Sequence, residues 1–350
     1  MKICYLILAY NDIGNLKRLV NRLNENAVFI IHIDKKTDIE PFIEAFKSYD
    51  NVEFLCNKNR VKIYWGGFSI VQAEINLVKR ALQNEKYLKY VLLSGADYPI
   101  KDNEYIYNYF KKNSSVEFIR GIDLDQIKHK EFYYKHIDVY QKHDYPRINR
   151  NNTTAFKIFR AIINRCLRMI KLPPKIRHHK FDLYHGSQWW ALSKECLTEL
   201  IQMYEQNQQD YLNFKIGMFA PDEKFFHTLF FNSSFKNKNV IGGPDLPLEL
   251  KNIEETTLQT SKLANIHIID PSMNKWFDER DIDQIKESEK LFVRKVKSDY
   301  SDKLLNRIDK EILKVGNIDE YNSTCFREEF IKSRCVSSNK FNHLSALFYA

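Results

Sequence analysis

The run Tyr90-Val91-Leu92-Leu93 stays apolar over consecutive positions and then stops at once in Ser94-Gly95-Ala96-Asp97-Tyr98-Pro99. A strand apolar on both faces belongs in the middle of a parallel sheet, because a sheet with one wet face alternates instead. Gly95 frees the backbone and Pro99 removes a ladder donor, so the strand ends here. In open α/β sheets, ligands sit just beyond the carboxyl ends of such strands. Asp97 therefore stands where a ligand would lie. Its side chain is equally of the kind that closes a turn or opens a helix.

The sequence before it supplies the rest of such a sheet. Strand Ile3–Leu8 leads to a helical stretch with Leu16, Leu19, Val20 and Leu23 inward. Strand Val28–Ile33, a helix near Pro41–Tyr49 and a short strand Val52–Leu55 follow. Phe68–Leu82 reads as a helix turning Ile70, Val71, Ala73, Leu77, Val78 and Ala81 inward. This alternation implies an α/β fold with a mostly parallel central sheet flanked by helices. Later strands are expected at Val116–Ile119, Trp189–Leu192 and Ile266–Ile269. Later helices are expected at Glu195–Glu205, Asp222–Phe231, Asp283–Lys297 and Asp302–Leu313. The expected organisation is one domain over residues 1–314, in parts of about 1–120, about 121–270 and a helical 271–314. Residues 315–350 form a tail without an assigned role, and Asp138–Asn152, polar and broken by Pro146, reads as a surface loop.

A formal charge of +9 asks for an acidic partner. No zinc-finger spacing or ribonucleoprotein signature is present, so nucleic acid is not expected. The positive charge is concentrated in Phe156–Lys180, where Lys157, Arg160, Arg165, Arg168, Lys171, Lys175, Arg177 and Lys180 accompany Ile158, Phe159, Ile162, Ile163, Leu167 and Ile170 at helical spacing. Such a basic amphipathic helix suits the surface of an anionic membrane, or packs its apolar stripe on the body of the protein. No apolar stretch approaches a membrane span. The amino terminus enters a strand directly after Met1-Lys2, and the six cysteines contain no Cys-x-x-Cys pair. The expectation is a cytoplasmic protein with reduced thiols, peripheral at the inner face of the membrane if the basic helix binds there.

Several residues are equipped for chemistry. Asp34 closes the second strand, a position from which a carboxylate can accept hydrogen bonds from a nucleoside. The glycine fingerprint of a dinucleotide site is absent after strand one, where Ala9-Tyr10-Asn11-Asp12 stands, and a Walker loop is absent as well. Pro221-Asp222-Glu223 opens a helix with acids; Glu223 is the candidate general base, against the alternative that both acids complement a helix dipole. Gly186-Ser187-Gln188-Trp189-Trp190 turns into a strand carrying aromatic rings that can stack on sugars or fill a core. Tyr64-Trp65-Gly66-Gly67 has a similar character at a helix start. Arg294 and Lys295 are neighbouring cations able to neutralise a diphosphate, or an ordinary helix surface.

Taken in order, Ile7-Leu8-Ala9-Tyr10, His32-Ile33-Asp34-Lys35, Trp65-Gly66-Gly67, Leu93 through Ile100, Gly186 through Trp190, Pro221-Asp222-Glu223 and Phe292-Val293-Arg294-Lys295 resemble the core-2/I-branching β-1,6-N-acetylglucosaminyltransferase family (glycosyltransferase family 14), which includes the peptide O-xylosyltransferases. The resemblance implies a GT-A fold and inverting transfer of N-acetylglucosamine or xylose from a UDP-sugar to a hydroxyl of a glycan or lipid-linked glycan. It implies Glu223 as catalytic base, Arg294 and Lys295 at the diphosphate, and Asp34 in the nucleotide site, with a nucleotide-binding half at about 1–120 and an acceptor half at about 121–270. Tyr10, Trp65 and Asp97 fall on the donor side, and Trp189, Trp190 and Asp222 on the acceptor side. Animal members have a His-like residue at Tyr10 and carry an anchor and disulfides, so the chain resembles a bacterial-type member. Where metal-dependent GT-A enzymes hold Asp-x-Asp, this chain has Gly95-Ala96-Asp97, and the cationic pair can take the place of a metal. The expectation is an enzyme needing no metal or other cofactor. The alternatives are a metal-dependent transferase using Asp97 or Asp123/Asp125, and a non-catalytic carbohydrate- or membrane-binding module. Asp281-Ile282-Asp283 reads as an acidic helix start.

Overall fold

A computed structural model describes residues 1–84, 86–134, 137, 140, 143–144, 154–170, 181–252 and 254–315. Strands β1 (Ile3–Ala9), β2 (Ala27–Ile33), β3 (Val52–Phe54) and β4 (Tyr90–Ser94) form a parallel sheet. Helices α1 (Ile13–Arg22), α2 (Glu40–Ala45) and α3 (Ser69–Leu82) connect them. The sheet order is β3-β2-β1-β4-β8, with the short β8 (Ala191–Leu192) antiparallel to β4 at its edge.

Burial follows the pleat. Cys4, Leu6 and Leu8 of β1 enter one hydrophobic cluster with Tyr90 and Leu92 of β4 and the inner face of α3. Ile3, Tyr5 and Ile7 enter a second cluster on the opposite face with Val91, Leu93 and α1. Each fully buried Leu or Val stabilises the fold by about 1.5–3 kcal/mol before the entropy of ordering is subtracted. Because β1 has β2 on one side and β4 on the other, the chain reverses its direction of winding between β1 and β4. The carboxyl ends of these two strands therefore form the crevice where α/β proteins bind ligands.

A second sheet continues from the carboxyl end of β4. β5 (Asp97–Pro99) leaves β4 after the two-residue turn Gly95-Ala96, and β10 (Phe292–Arg294) pairs antiparallel with it and parallel with β9 (His267–Ile269). Tyr98, Ile100, Val293, Val296, Leu304 and Leu305 make a third cluster beneath this sheet. β6 (Gly121–Asp123) and β7 (Tyr184–Gly186) form an antiparallel pair. The whole agrees with a GT-A-type α/β fold.

Several sequence expectations are corrected. The expected helix Asp283–Lys297 is a short helix, Ile282–Glu287, which ends where Ser288 turns extended; Phe292–Arg294 is then drawn into the gap between β5 and β9. Val116–Ile119 contributes only isolated bridges, Glu117 to Asn239 and Phe118 to Ala191. The helix expected at Asp222–Phe231 is a 3₁₀ turn, Pro221–Glu223, followed by a helix from Phe225 to Phe231. Asp302–Leu313 is an α-helix to Arg307 continued by a π turn. The basic segment is helical over Thr154–Arg168; its residues beyond Ile170, most of the Asp138–Asn152 loop and the tail from Gly316 lie outside the described residues.

Candidate active site

The turn after β4 is built around Asp97. Ser94 donates to it twice, from its backbone N–H to Oδ2 (2.7 Å) and from its hydroxyl to Oδ1 (3.0 Å). Asp97 has no exposed surface, and register places Arg294 directly opposite it across β5 and β10. Arg294 Nη1 donates to Asp97 Oδ1 at 2.8 Å and also to the Ser94 hydroxyl. His267 Nε2 lies 3.2 Å from Asp97 Oδ2. Burial alone would raise the Asp97 carboxyl, but Arg294 and then His267 outweigh it and hold the group down at about 2. Burial keeps His267 below its ordinary range, so its neutral ring donates to the aspartate. Asp97, expected on the donor side, is thus engaged inside the protein by Ser94, Arg294 and His267.

Arg294 is fixed a second time. Its guanidinium carbon lies 4.1 Å from the centroid of the Trp189 ring, a cation–π stack. The side chain keeps 16% of its surface open. Trp189 thus serves as a platform for the arginine. Its neighbour Trp190 is fully buried against Phe226 at 5.1 Å between ring centroids, which removes it from any acceptor wall. Lys295 follows Arg294 and is partly buried; desolvation, then the charge of Arg294, lower its affinity for a proton.

The two acids sit on the Pro221–Glu223 turn, which starts from Ala220 in the left-handed region (φ 47°). Ala220 N–H donates to the Gly66 carbonyl at 3.1 Å, tying this turn to the Trp65-Gly66-Gly67 loop. Gly66 has φ +77°, and a side chain there would strike the Phe219 ring 2.5 Å away, so only glycine fits. Buried Lys224 donates to the carbonyls of Phe219 (3.2 Å) and Ala220 (3.1 Å) from beneath. Burial pushes Glu223 up to about 7, Lys224 opposing and Asp222 adding to the rise. Asp222 is raised by burial as well, with Lys224 and Arg294 opposing. The acidic turn and Arg294 therefore share one electrostatic environment, although they come from opposite parts of the chain.

Asp34 is buried beside this end of the sheet and accepts from the N–H groups of Lys36 (2.9 Å) and Ile63 (3.4 Å), with Lys36 Nζ at 3.3 Å. Tyr10 and Trp65 are largely exposed, Trp65 meeting Phe219 edge-on at 5.2 Å. Asp123 caps its own turn by accepting from Asp125 N–H at 2.8 Å, and Asp125 is exposed and paired with Lys130 at 3.3 Å. Asp281 joins a capping box with Asp278. Among the described residues, no group of three or more His, Cys, Asp or Glu side chains could hold a metal ion.

The sequence reading missed Ser94, His267, Gln188 and Glu74. Of these, Glu74 left a signal, a carboxylate on the apolar stripe of α3. It is fully buried, and its Oε1 accepts from Gln188 Nε2 at 2.6 Å.

A family model described as "Core-2/I-Branching enzyme" matches residues 3–242. The chain is 25% identical over 233 residues to the N-acetyllactosaminide beta-1,6-N-acetylglucosaminyl-transferase of Homo sapiens, covering 65% of this chain and 52% of that protein. It is 22% identical to the beta-1,3-galactosyl-O-glycosyl-glycoprotein beta-1,6-N-acetylglucosaminyltransferase 4 of Danio rerio, over 65% of this chain and 49% of that one. It is also 22% identical to xylosyltransferase 2 of Rattus norvegicus, over 67% of this chain and 25% of that protein. The match spans about half the length of the first two relatives and a quarter of the third.

Proposed function

The chain belongs to the Core-2/I-branching enzyme family, and on that premise we propose that it is an inverting glycosyltransferase that moves N-acetylglucosamine or xylose from UDP to an acceptor hydroxyl. The observation that carries this reading is Glu223, a partly exposed carboxyl poised near neutrality in the same field as a guanidinium held from two sides. A general base works best when its pKa lies near the operating pH.

In this reading UDP lies across the ends of β1, β2 and β4, with Asp34, Tyr10 and Trp65 around the nucleoside. Glu223 takes the proton from the acceptor hydroxyl, and the oxygen attacks the anomeric carbon from the face opposite the diphosphate. The bond to the diphosphate breaks, and Arg294 and Lys295 receive the charge that develops on it. Arg294 is fixed before reaction by Asp97 and Trp189, which supports transfer without a metal. The acceptor is a glycan or lipid-linked glycan.

Membrane contact belongs to the same proposal. Residues 145–180 carry ten Lys and Arg and no Asp or Glu, which leaves 44 basic against 45 acidic residues elsewhere in the chain. Within this segment Ile158, Ile162, Met169 and Ile170 are exposed. Charge and exposed apolar side chains together suit an anionic lipid surface. No helix among the described residues is long and apolar enough to cross a membrane. The free thiols Cys4, Cys166 and Cys196 support a reducing compartment such as the cytoplasm.

UDP release from UDP-N-acetylglucosamine and UDP-xylose, with a panel of acceptor glycans, tests the enzyme. Glu223→Gln is expected to lower kcat at least about 100-fold while UDP still binds. The wild-type kcat/KM is expected to fall as pH drops below about 7, where Glu223 protonates, and EDTA is expected to leave it unchanged. Wild-type kcat in Glu223→Gln refutes the assignment of the base.

A further inference from the structure

Glu74 is a carboxyl group where α3 otherwise buries hydrocarbon, on a face shared with Val71, Leu77 and Val78. Its Oε1 accepts from Gln188, but among the described residues its buried Oε2 has no hydrogen-bond partner. α3 packs against the Pro221–Glu223 turn. There the buried Oδ1 of Asp222 likewise has no partner among the described residues. The two carboxyl groups lie within each other's electrostatic reach. A pair of neighbouring desolvated carboxylates is unfavourable, and one shared proton turns the repulsion into a hydrogen bond.

The surroundings decide where that proton resides. Asp222 has the charges of Lys224 and Arg294 to stabilise its anion. Among the described residues Glu74 has the Gln188 amide alone for this, and burial, then the charge of Asp222, push its carboxyl well above the carboxylate range. Glu74 is the neutral partner.

We propose that Glu74 is a positioning residue for the acidic turn: as a carboxylic acid it donates from Oε2 to Asp222 Oδ1, while Gln188 holds Oε1, and so locks Asp222 and the adjoining Glu223 against α3. The inference rests on the reading of Glu223 as the base. Glu74 itself is fully buried and acts through Asp222. The chemistry it supplies is one fixed donor, which orients Asp222 and keeps the base in line with the acceptor oxygen.

The test uses the full chain with Glu74→Gln, Glu74→Leu and Asp222→Ala. The infrared spectrum of the wild type minus that of Glu74→Gln at neutral pH is expected to show the carbonyl stretch of a protonated carboxylic acid. The band is expected to move to higher frequency in Asp222→Ala, where its acceptor is gone. In UDP release, Glu74→Leu is expected to lose about 100-fold in kcat with little change in KM for the donor. Glu74→Gln is expected to restore most of it, because an amide can also donate to Asp222 and accept from Gln188. Absence of the band at neutral pH overturns the proposal, as does wild-type kcat in Glu74→Leu. If Glu223→Gln keeps the wild-type kcat, the choice of base fails instead, and the infrared band still reports on the Glu74–Asp222 pair.

Discussion

Replacing Asp97 by Asn removes one charge from a fully buried cluster and leaves its shape nearly unchanged. Wild-type Asp97 is held at about 2, against an ordinary value of 3.8. A carboxyl group whose folded pKa is depressed adds stability that is fully present above the unfolded value and is lost as pH falls through the folded one. The window is therefore about pH 4 down to pH 2, and the size is about 2–3 kcal/mol, since one pKa unit is about 1.4 kcal/mol. At neutral pH the variant also strands Arg294 without its counter-charge. Removing one partner of a buried ion pair costs about 3–5 kcal/mol, and the partly open arginine can turn to water, so the lower figure applies here. Urea unfolding of both proteins at several pH values gives the comparison. The expected outcome is a variant weaker by about 3 kcal/mol at pH 7, with the gap closing as the wild type is acidified. Equal stability at pH 7, or an unchanged difference down to pH 2, refutes the claim that Asp97 works as a buried anion under Arg294.

Two further outcomes follow from the same geometry. Trp189→Leu removes the platform beneath Arg294 and is expected to weaken UDP binding by about 1–2 kcal/mol, read by calorimetry, while Trp190→Leu acts on stability and leaves UDP affinity per folded molecule intact. Sedimentation with vesicles of phosphatidylglycerol and phosphatidylcholine is expected to capture the wild type in a salt-sensitive manner and to lose it when Lys157, Arg160, Arg165 and Arg168 become Gln; equal capture of the two, or capture by DNA and not by vesicles, refutes the membrane contact.

The central sheet was legible because its strands are buried on both faces and need no partner pattern to be recognised. The place of Asp97 was legible for the same reason, but its job was not. Its counter-charge lies 197 residues away in a three-residue strand that carries too little periodicity to be separated from the preceding helix. Trp189 and Trp190 show another limit. Adjacent residues of an extended chain face opposite ways, so one tryptophan meets Arg294 and the other the core, and sequence alone does not say which. Glu74 stood in plain view as an acid on an apolar stripe, yet its neighbours come from two loops more than a hundred residues downstream.

The pairing of β5 with β10 has a consequence for synthesis on the ribosome. The parallel sheet is complete in outline once residue 94 has emerged, whereas Arg294 arrives two hundred residues later. Until then the nascent chain holds an aspartate whose cation has not yet been made. A product truncated before β10 would therefore own the parallel sheet and a buried aspartate, but no arginine to balance its charge.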